Sequence, residues 1–473
     1  MTSSSRAFSS NARAALANAG LQRALARMKA GFAVNRAAAV ERLPEFDTLR
    51  DEAQAIKDHT LDHLDYYLEA FEARVTEAGG TLHWCRTPEE ARQVILGICR
   101  SVDAKTVTKG KSMIGEEIAI NEFLEANGIT PVETDLGEYI IQLRREPPSH
   151  IIAPAIHVTK DEVAESFYQT HDTLDPDRNL EEPRSLVDEA RAMLRQKYLD
   201  ADLGITGANF LIAETGTSVI VTNEGNGDLT QTLPKAHVVI ASLEKVVPTL
   251  EDATTILRLL ARSATGQEFS TYTTFSTGPR RGDDADGPGE YHVVLLDNGR
   301  SSLLGGALQP ILRCIRCGAC MNHCPVYGAI GGHAYGWVYP GPMGAVLTPA
   351  LIGLDKAAAL PEASTFCGRC EDVCPMRIPL PSLMRHHRES AFAAGRTGWR
   401  ARVALRIWAA LAQRPWLYQR LTGIEMRLLA AVAGRRGRFR WLPFAGGWTR
   451  HRDFPAPEGR TFQQLWSARG GER

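Results

Sequence analysis

The N-terminal part of the chain carries apolar residues at helical spacing. Apolar side chains recur every three or four positions over 61–75, and the pattern stops at Gly79. They are Leu61, Leu64, Leu68, Phe71 and Val75. Residues at this spacing share one face of a helix, and glycine commonly ends one. A similar pattern over 21–32 predicts an earlier helix, so residues 1–79 are predicted to form a helical arm.

After Gly80, short β-branched and aromatic runs alternate with helical stretches. The runs predicted as strands cover 106–108, 151–153, 210–213, 218–222, 237–241 and 291–296. The helical stretches between them include 116–126, 184–198 and 250–262. Strands that alternate with helices predict an α/β domain with a largely parallel sheet over residues 80–300.

Composition adds the number of domains and the charge of the last one. The length of 473 residues predicts about three domains, and a net charge of −1 with 44% apolar residues indicates a soluble globular chain, not a nucleic-acid-coating one. From Arg385 onward there are 18 Arg, no Lys and five acidic residues, interleaved with Trp. Residues 391–473 are therefore predicted to be a basic helical region that contacts an acidic partner or, peripherally, a membrane surface.

Targeting signals and cysteine usage bear on location. Residues 1–40 lack Asp and Glu, so a targeting segment and a helix that docks on the body or on a partner both stay open. No secretory signal and no transmembrane run of about eighteen apolar residues is recognised. Nine cysteines, seven of them at metal-ligand spacing, indicate reduced thiols and a cytoplasmic protein.

The first cysteine motif follows the ferredoxin pattern C-x2-C-x2-C-x3-C-P. Its residues are Cys314, Cys317, Cys320 and Cys324, followed by Pro325. Thiolates are soft anionic ligands that hold iron in tetrahedral sulfur coordination, and in this pattern the fourth cysteine serves a second cluster. A structural zinc site is the alternative, which would leave the other cysteines unexplained.

The second motif is Cys367, Cys370 and Cys374, with Ser364 where a further cysteine would stand. Crossed ligation predicts cluster 1 at Cys314, Cys317, Cys320 and Cys374. It predicts cluster 2 at Cys324, Cys367 and Cys370, which is one cysteine short of a complete ligand set, and 4Fe–4S clusters are expected at both. A 3Fe–4S cluster 2, a non-cysteine ligand such as Ser364 or His323, and an open iron site all stay open.

Cys85 and Cys99 stand far from both motifs and are predicted to be structural.

Three further stretches resemble the lactate utilization protein B family, the iron–sulfur subunits of a bacterial L-lactate-oxidising complex. They are KGKSMIGEE at 109–117, TGANFLIAETGTSVIVTNEGN at 206–226 and WTRHRDFP at 448–455. The long spacer between Cys324 and Cys367 also resembles the helical ferredoxin modules of fumarate reductase and heterodisulfide reductase subunits.

The resemblance implies a multidomain α/β plus α protein. Its lactate-utilization domain would be similar to isomerase and CoA-transferase domains, followed by an α-helical ferredoxin domain over 301–390 and the basic tail. The implied role is a non-catalytic electron-transfer subunit in lactate oxidation. The implied partners are a cysteine-rich subunit and a small lactate-utilization-domain subunit, with the electron acceptor left open. The alternative is an α/β module, catalytic or ligand-binding, that is regulated by the redox state of the clusters.

Within the α/β domain, the turns at 214–217 and 223–226 stand at predicted strand ends, where parallel sheets bind ligands. Lys109 and Lys111 are candidates to meet a carboxylate or phosphate there. All of these residues can equally be ordinary turn residues or solvated charges. No GxGxxG fingerprint or Walker loop is recognised.

Overall fold

The computed structural model of the protein describes residues 3–110, 112–443, 445–449 and 452–470. The chain divides into two units, Met1–Ala391 and Phe392–Arg473. The first unit contains the N-terminal helices, the α/β domain and both cysteine motifs. The segment boundaries predicted at residues 79, 300 and 390 stay predictions.

Four helices form the N-terminal region. They are α1 (Phe8–Ala17), α2 (Ala19–Glu41), α3 (Phe46–Asp62) and α4 (Leu64–Glu77). The helix predicted over 61–75 is interrupted at His63, where the backbone leaves helical geometry. Leu25 and Met28 of α2 are buried in the same core as Met321, which follows the third motif cysteine. The α2 helix therefore docks on the cysteine-bearing segment.

In its described residues the α/β domain contains ten strands, in two sheets. They are β1 (Thr81–Cys85), β2 (Thr106–Gly110), β3 (Thr130–Glu133), β4 (Leu203–Gly207), β5 (Phe210–Ile212), β6 (Thr217–Thr222), β7 (Ala236–Ser242), β8 (Val246–Val247), β9 (Tyr272–Ser276) and β10 (Glu290–Leu296). Six form a sheet in the order β1-β10-β7-β4-β2-β3, in which every pairing is parallel. The chain reverses its direction across this sheet at β2, which has β3 on one side and β4 on the other.

A smaller mixed sheet has the order β8-β5-β6-β9. Eight helices accompany the two sheets: α5 (Pro88–Ser101), α6 (Met113–Glu117), α7 (Ile120–Ala126), α8 (Leu136–Leu143), α9 (Lys160–Thr170), α10 (Pro183–Leu199), α11 (Asn226–Thr232) and α12 (Leu250–Ala264). The predicted α/β fold with a largely parallel sheet is thus confirmed. The second sheet was not predicted.

Two further local predictions are wrong. Residues 151–153 are not a strand, because Ser149 donates both its backbone N–H and its hydroxyl to the Pro154 carbonyl and closes a tight loop. The backbone polar groups are therefore partly paired inside the loop and not in a ladder. The helix predicted over 116–126 is split between α6 and α7 at Ala119, which has a φ of 54°.

The cysteine-bearing segment is built from short helices. They are α13 (Ala319–Asn322), α14 (Tyr327–Ile330), α15 (Gly341–Ile352), α16 (Leu354–Ala357), α17 (Arg369–Asp372) and α18 (Leu380–Ala393). Two arginines of the N-terminal helices hold its second motif. Arg36 donates to the Val373 carbonyl at 3.0 Å, and Arg50 donates to the Cys374 carbonyl at 2.8 Å. Because a guanidinium offers several donors, each arginine can satisfy carbonyls that the short α17 helix leaves free.

A buried ion network joins the α/β domain to the cysteine-bearing segment. Arg300 lies 2.6 Å from Glu117 and 3.2 Å from Glu244, and Arg316 lies 2.8 Å from the other oxygen of Glu244. The Tyr339 hydroxyl donates to Glu117. Burial alone would raise the pKa of Glu244, but Arg300 and Arg316 lower it to about 2. Glu244 is therefore charged, and its position fixes both arginines.

The second unit is helical, as predicted. Its elements are α19 (Trp399–Ala412), α20 (Pro415–Ala433), α21 (Gly446–Thr449) and α22 (Phe462–Gly470), with a two-strand ladder of β11 (Arg438–Phe439) and β12 (Phe454–Pro455) that was not predicted. Trp399, Trp408 and Trp416 are 71%, 60% and 62% exposed. Among the described residues, no helix has the length and apolarity needed to cross a membrane.

Candidate iron–sulfur sites and an adjoining cavity

The predicted ligands of cluster 1 surround one cavity. Cys314, Cys317, Cys320 and Cys374 all line it, so Cys374 stands with the first motif despite its place in the second. The rest of the wall is mostly apolar and includes Met343. In the described part of the chain, no three Cys, His, Asp or Glu side chains converge tightly enough for a single metal ion. The thiols instead stand around a space, which fits a group the size of a cluster.

The predicted ligands of cluster 2 line a neighbouring cavity. Cys324, Cys367 and Cys370 share its wall with Ser364. Cys367 is exposed, so this cavity reaches the surface. Of the two non-cysteine ligands considered, Ser364 lies in this wall and His323 does not. The His323 Nδ1 lies 2.9 Å from the Ala319 carbonyl. The ligand assignments themselves stay predictions.

The local fold explains why the motifs cross. Cys320 lies on α13 and Cys370 on α17, and each is followed four residues later by a cysteine that lines the other cavity. Cys324 and Cys374 stand two residues past the ends of these helices. Each short helix together with the turn that follows it thus places thiols in both cavities.

The electrostatics of these thiols fit a metal centre. Burial raises the pKa of Cys317 to about 12, with the neighbouring Cys374 adding to the rise, and burial raises the pKa of Cys374 to about 11. A bound metal supplies the positive charge that favours thiolates in such a place. Backbone N–H groups also point at sulfur: that of Ile378 lies 3.4 Å from Cys374 Sγ. Hydrogen bonds to cluster sulfurs tune reduction potentials.

A third cavity lies at the carboxyl ends of the parallel strands. The segments that follow β2, β3, β4 and β7 contribute Met113, Asp135, Asn209 and Lys245 to its wall. The cysteine-bearing segment contributes Arg316, Cys317 and Tyr339 to the wall of the same cavity. Ligands in α/β proteins commonly bind at this edge, near the point where the strand order reverses. Cys317 lines both this cavity and that of cluster 1.

Of the candidate binding residues that the sequence suggested in the α/β domain, some line the third cavity and others do not. Asn223, from the turn at 223–226, lines the third cavity, whereas no residue of the turn at 214–217 does. Lys109 is buried and lies 2.6 Å from Glu116 and 2.8 Å from Glu133. Its pKa, which burial alone would lower, is raised by these carboxylates. Lys109 is therefore occupied by a structural ion pair, and Lys111 lies outside the described residues.

Sequence reasoning missed Lys245. It follows β7 at the carboxyl edge of the sheet, so its position after a buried strand was the available signal. Burial and the nearby Arg316 lower its pKa to about 8.

Cys85 and Cys99 are buried in the core of the α/β domain, in agreement with their predicted structural role.

Fold and cysteine sites together define an iron–sulfur protein with an α/β domain and a ferredoxin-type dicluster domain. Residues 68–296 match the family model described as LUD domain, and residues 310–378 match the 4Fe-4S dicluster domain. Residues 392–471 match the model described as Lactate utilisation protein B, C-terminal. The chain belongs to the lactate utilization protein B family, and the following relatives show it.

Lactate utilization protein B of Bacillus pumilus (strain SAFR-032) is 42% identical over 439 residues, which cover 92% of each chain. Its namesake from Shouchella clausii (strain KSM-K16) is 40% identical over 472 residues, covering 98% of this chain and 97% of that one. A crystal structure of a DUF162 family protein from Deinococcus radiodurans matches with 13% identity and a TM-score of 0.26, covering 49% of this chain and 98% of that one.

The substitution Cys374→Ser tests crossed ligation. We expect it to remove the electron paramagnetic resonance signal of cluster 1 and to leave that of cluster 2, because a serine hydroxyl ionises far less readily than a thiol. The matched control is Cys370→Ser, which changes a cysteine one turn away and should damage cluster 2. Loss of only the cluster 2 signal from Cys374→Ser would contradict the assignment.

Ser364→Ala tests the missing ligand of cluster 2. We expect a nearly unchanged cluster 2 spectrum, because ionising the serine is costly and its oxygen already accepts the Phe366 N–H at 3.1 Å. Cys367→Ala should abolish that spectrum. Air-exposed parent protein should show the signal of an oxidised three-iron species. Serine ligation is the correct explanation if Ser364→Ala loses one iron and gains a three-iron signal that the parent lacks.

Proposed function

We propose that this chain is the electron-transfer subunit of a complex that oxidises L-lactate to pyruvate. It carries two iron–sulfur clusters, cluster 1 and cluster 2, on the seven motif cysteines. When bound, such clusters exchange single electrons, whereas lactate oxidation releases two. The name shared by the curated relatives, lactate utilization protein B, supports the substrate. The match to the dicluster domain supports the cofactor.

The observation that carries this proposal is the contrast between the two cysteine cavities. Cys317 and Cys374 of cluster 1 are buried, while Cys367 of cluster 2 is exposed. The thiols of the two sites are neighbours, since Cys320 of one interacts electrostatically with Cys370 of the other. A buried site that adjoins an exposed one is the arrangement needed to connect the interior with a partner at the surface.

The test is reduction by substrate. The chain is purified without oxygen, alone and with its cysteine-rich and small lactate-utilization-domain partners, and L-lactate is added. We expect about seven to eight irons per chain and a brown absorbance that dithionite bleaches. L-Lactate should bleach it only when the partners are present. Stoichiometric zinc with little iron, or equal lactate oxidation by the partners without this chain, would contradict the proposal.

We propose further that the exposed tryptophans of α19 and α20 contact a partner subunit. Both helices are rich in arginine and leave almost all of their side chains unburied. Arg400 lies over the Trp399 ring at 5.4 Å, and Arg420 over Trp416 at 6.0 Å. Arginine and tryptophan are enriched at protein interfaces. The cysteine-rich subunit is the proposed occupant.

Replacing Trp399, Trp408 and Trp416 together by serine should leave iron content unchanged and abolish co-purification with the partners. The folding cost should be small, because all three rings are already exposed. Trp84→Ser, a half-exposed tryptophan on β1, is the matched control and should co-purify normally. Unchanged assembly of the triple variant would refute a subunit contact. A triple variant that still assembles with the partners but no longer binds anionic lipid vesicles would refute it as well.

A further inference from the structure

The third cavity contains a buried positive charge that makes no hydrogen bond or close ion pair with the described residues. Lys245 is 8% exposed and lines the cavity. Among the residues that the structure describes, none accepts a hydrogen bond from the Lys245 ammonium or lies within ion-pair distance of it, although Glu244 and Cys314 attract it electrostatically from farther away. Burying an unpaired ammonium is costly, and proteins normally pair such groups or bind an ion there. The neighbouring Lys57, equally buried, shows the normal case, because it donates to the Glu244 and Val246 carbonyls.

The surroundings of Lys245 increase the local positive charge. Arg316, which also lines the cavity, already shares Glu244 with Arg300. Glu244 attracts Lys245 as well, but its two oxygens lie at ion-pair distance from the two guanidinium groups, so positive charge remains in excess around this carboxylate. An anion in the cavity would supply the missing partner.

The rest of the wall limits the size and charge of that anion. Asp135 and Glu138 also line the cavity, which disfavours a multiply charged ligand. Apolar side chains such as Ile114, Ile240 and Leu260 lie beside amide and hydroxyl groups such as Asn209, Asn223 and Thr265. The cavity measures about 180 Å³. On this measure about 10–15 Å³ is enough for one water, so the cavity has room for a three-carbon acid.

We propose that this cavity binds a small monocarboxylate with a hydroxyl or keto group, the class of L-lactate and pyruvate, and that Lys245 pairs with its carboxylate. The choice of this class rests on the proposed function. The site adjoins cluster 1 through Cys317, and two of the stretches that carry the family resemblance, 109–117 and 206–226, contribute to its wall. The inference places a binding site for substrate or product in this chain, beside its buried cluster site.

Calorimetric titration of the anaerobically purified full chain tests the site. The probes are L-lactate, pyruvate, inorganic phosphate and L-lactamide, the last being the neutral counterpart of lactate. We expect the wild type to bind L-lactate or pyruvate, and Lys245→Met to bind it about tenfold or more weakly, as loss of a charged hydrogen bond predicts. Lys245→Arg should retain most of the affinity. Lys356→Met, the same change at an exposed lysine, should retain all of it.

Thermal unfolding without ligand separates binding from folding. Because Lys245 makes no hydrogen bond or close ion pair with the described residues, Lys245→Met should melt at the same temperature as the wild type or higher, with unchanged iron content. The inference is overturned if Lys245→Met melts at a far lower temperature than the wild type. It is also overturned if Lys245→Met binds the acids as tightly as the wild type does, or if the wild type binds neither acid. Equal affinity for L-lactamide and L-lactate would overturn it too. If the chain does not bind either acid but L-lactate still reduces the clusters in the complex, this site alone is rejected. If binding depends on Lys245 but L-lactate does not reduce the clusters, the proposed function is rejected and the site stands.

Discussion

The buried carboxylate of Glu244 is the constraint on which the arrangement of the first unit depends. It forms ion pairs with Arg300, which follows the last strand of the α/β domain, and with Arg316, which lies inside the first cysteine motif. Removing one member of such a network leaves a buried charge uncompensated, which typically costs about 3–5 kcal/mol. The cysteine motif is therefore held at one place against the carboxyl edge of the sheet. The third cavity exists because the two parts meet there.

The same network explains why the N-terminal helices belong with the cysteines. Lys57 of α3 donates to the carbonyls of Glu244 and Val246, while Arg50 of the same helix holds the Cys374 carbonyl. One helix thus contacts both the charged network and the second motif. Basic side chains near a cluster also offset the negative charge of its thiolates. In the sequence these residues look like ordinary charges on a helix, since nothing in their spacing reveals a partner far along the chain.

The sequence predicts features that depend on neighbouring residues, and it does not predict features that depend on contacts between residues far apart in the chain. The alternation of strands and helices and the cysteine spacing are local patterns, and they predicted the parallel sheet and the seven cysteines that stand around two cavities. Lys109 and Lys245 both stand at strand ends, and the sequence cannot tell them apart. Only the fold brings Glu116 and Glu133 to Lys109, whereas it gives Lys245 no hydrogen-bond acceptor among the described residues. The strand prediction at 151–153 was wrong for a related reason, because the hydrogen bond from Ser149 to the Pro154 carbonyl closes a loop there.

The three cavities together order the parts of the molecule from interior to surface. The Lys245 cavity shares Cys317 with the cluster 1 cavity, whose thiols neighbour those of cluster 2, and Cys367 of cluster 2 is exposed. Burial disfavours charge, so the innermost site is where a ligand carboxylate must be matched by a fixed cation. Solvent and backbone N–H groups can compensate charge at the outer site, and there the second motif has a serine in place of a cysteine. The cavity with the exposed cysteine is thus lined by three motif cysteines, whereas the more buried cavity is lined by four.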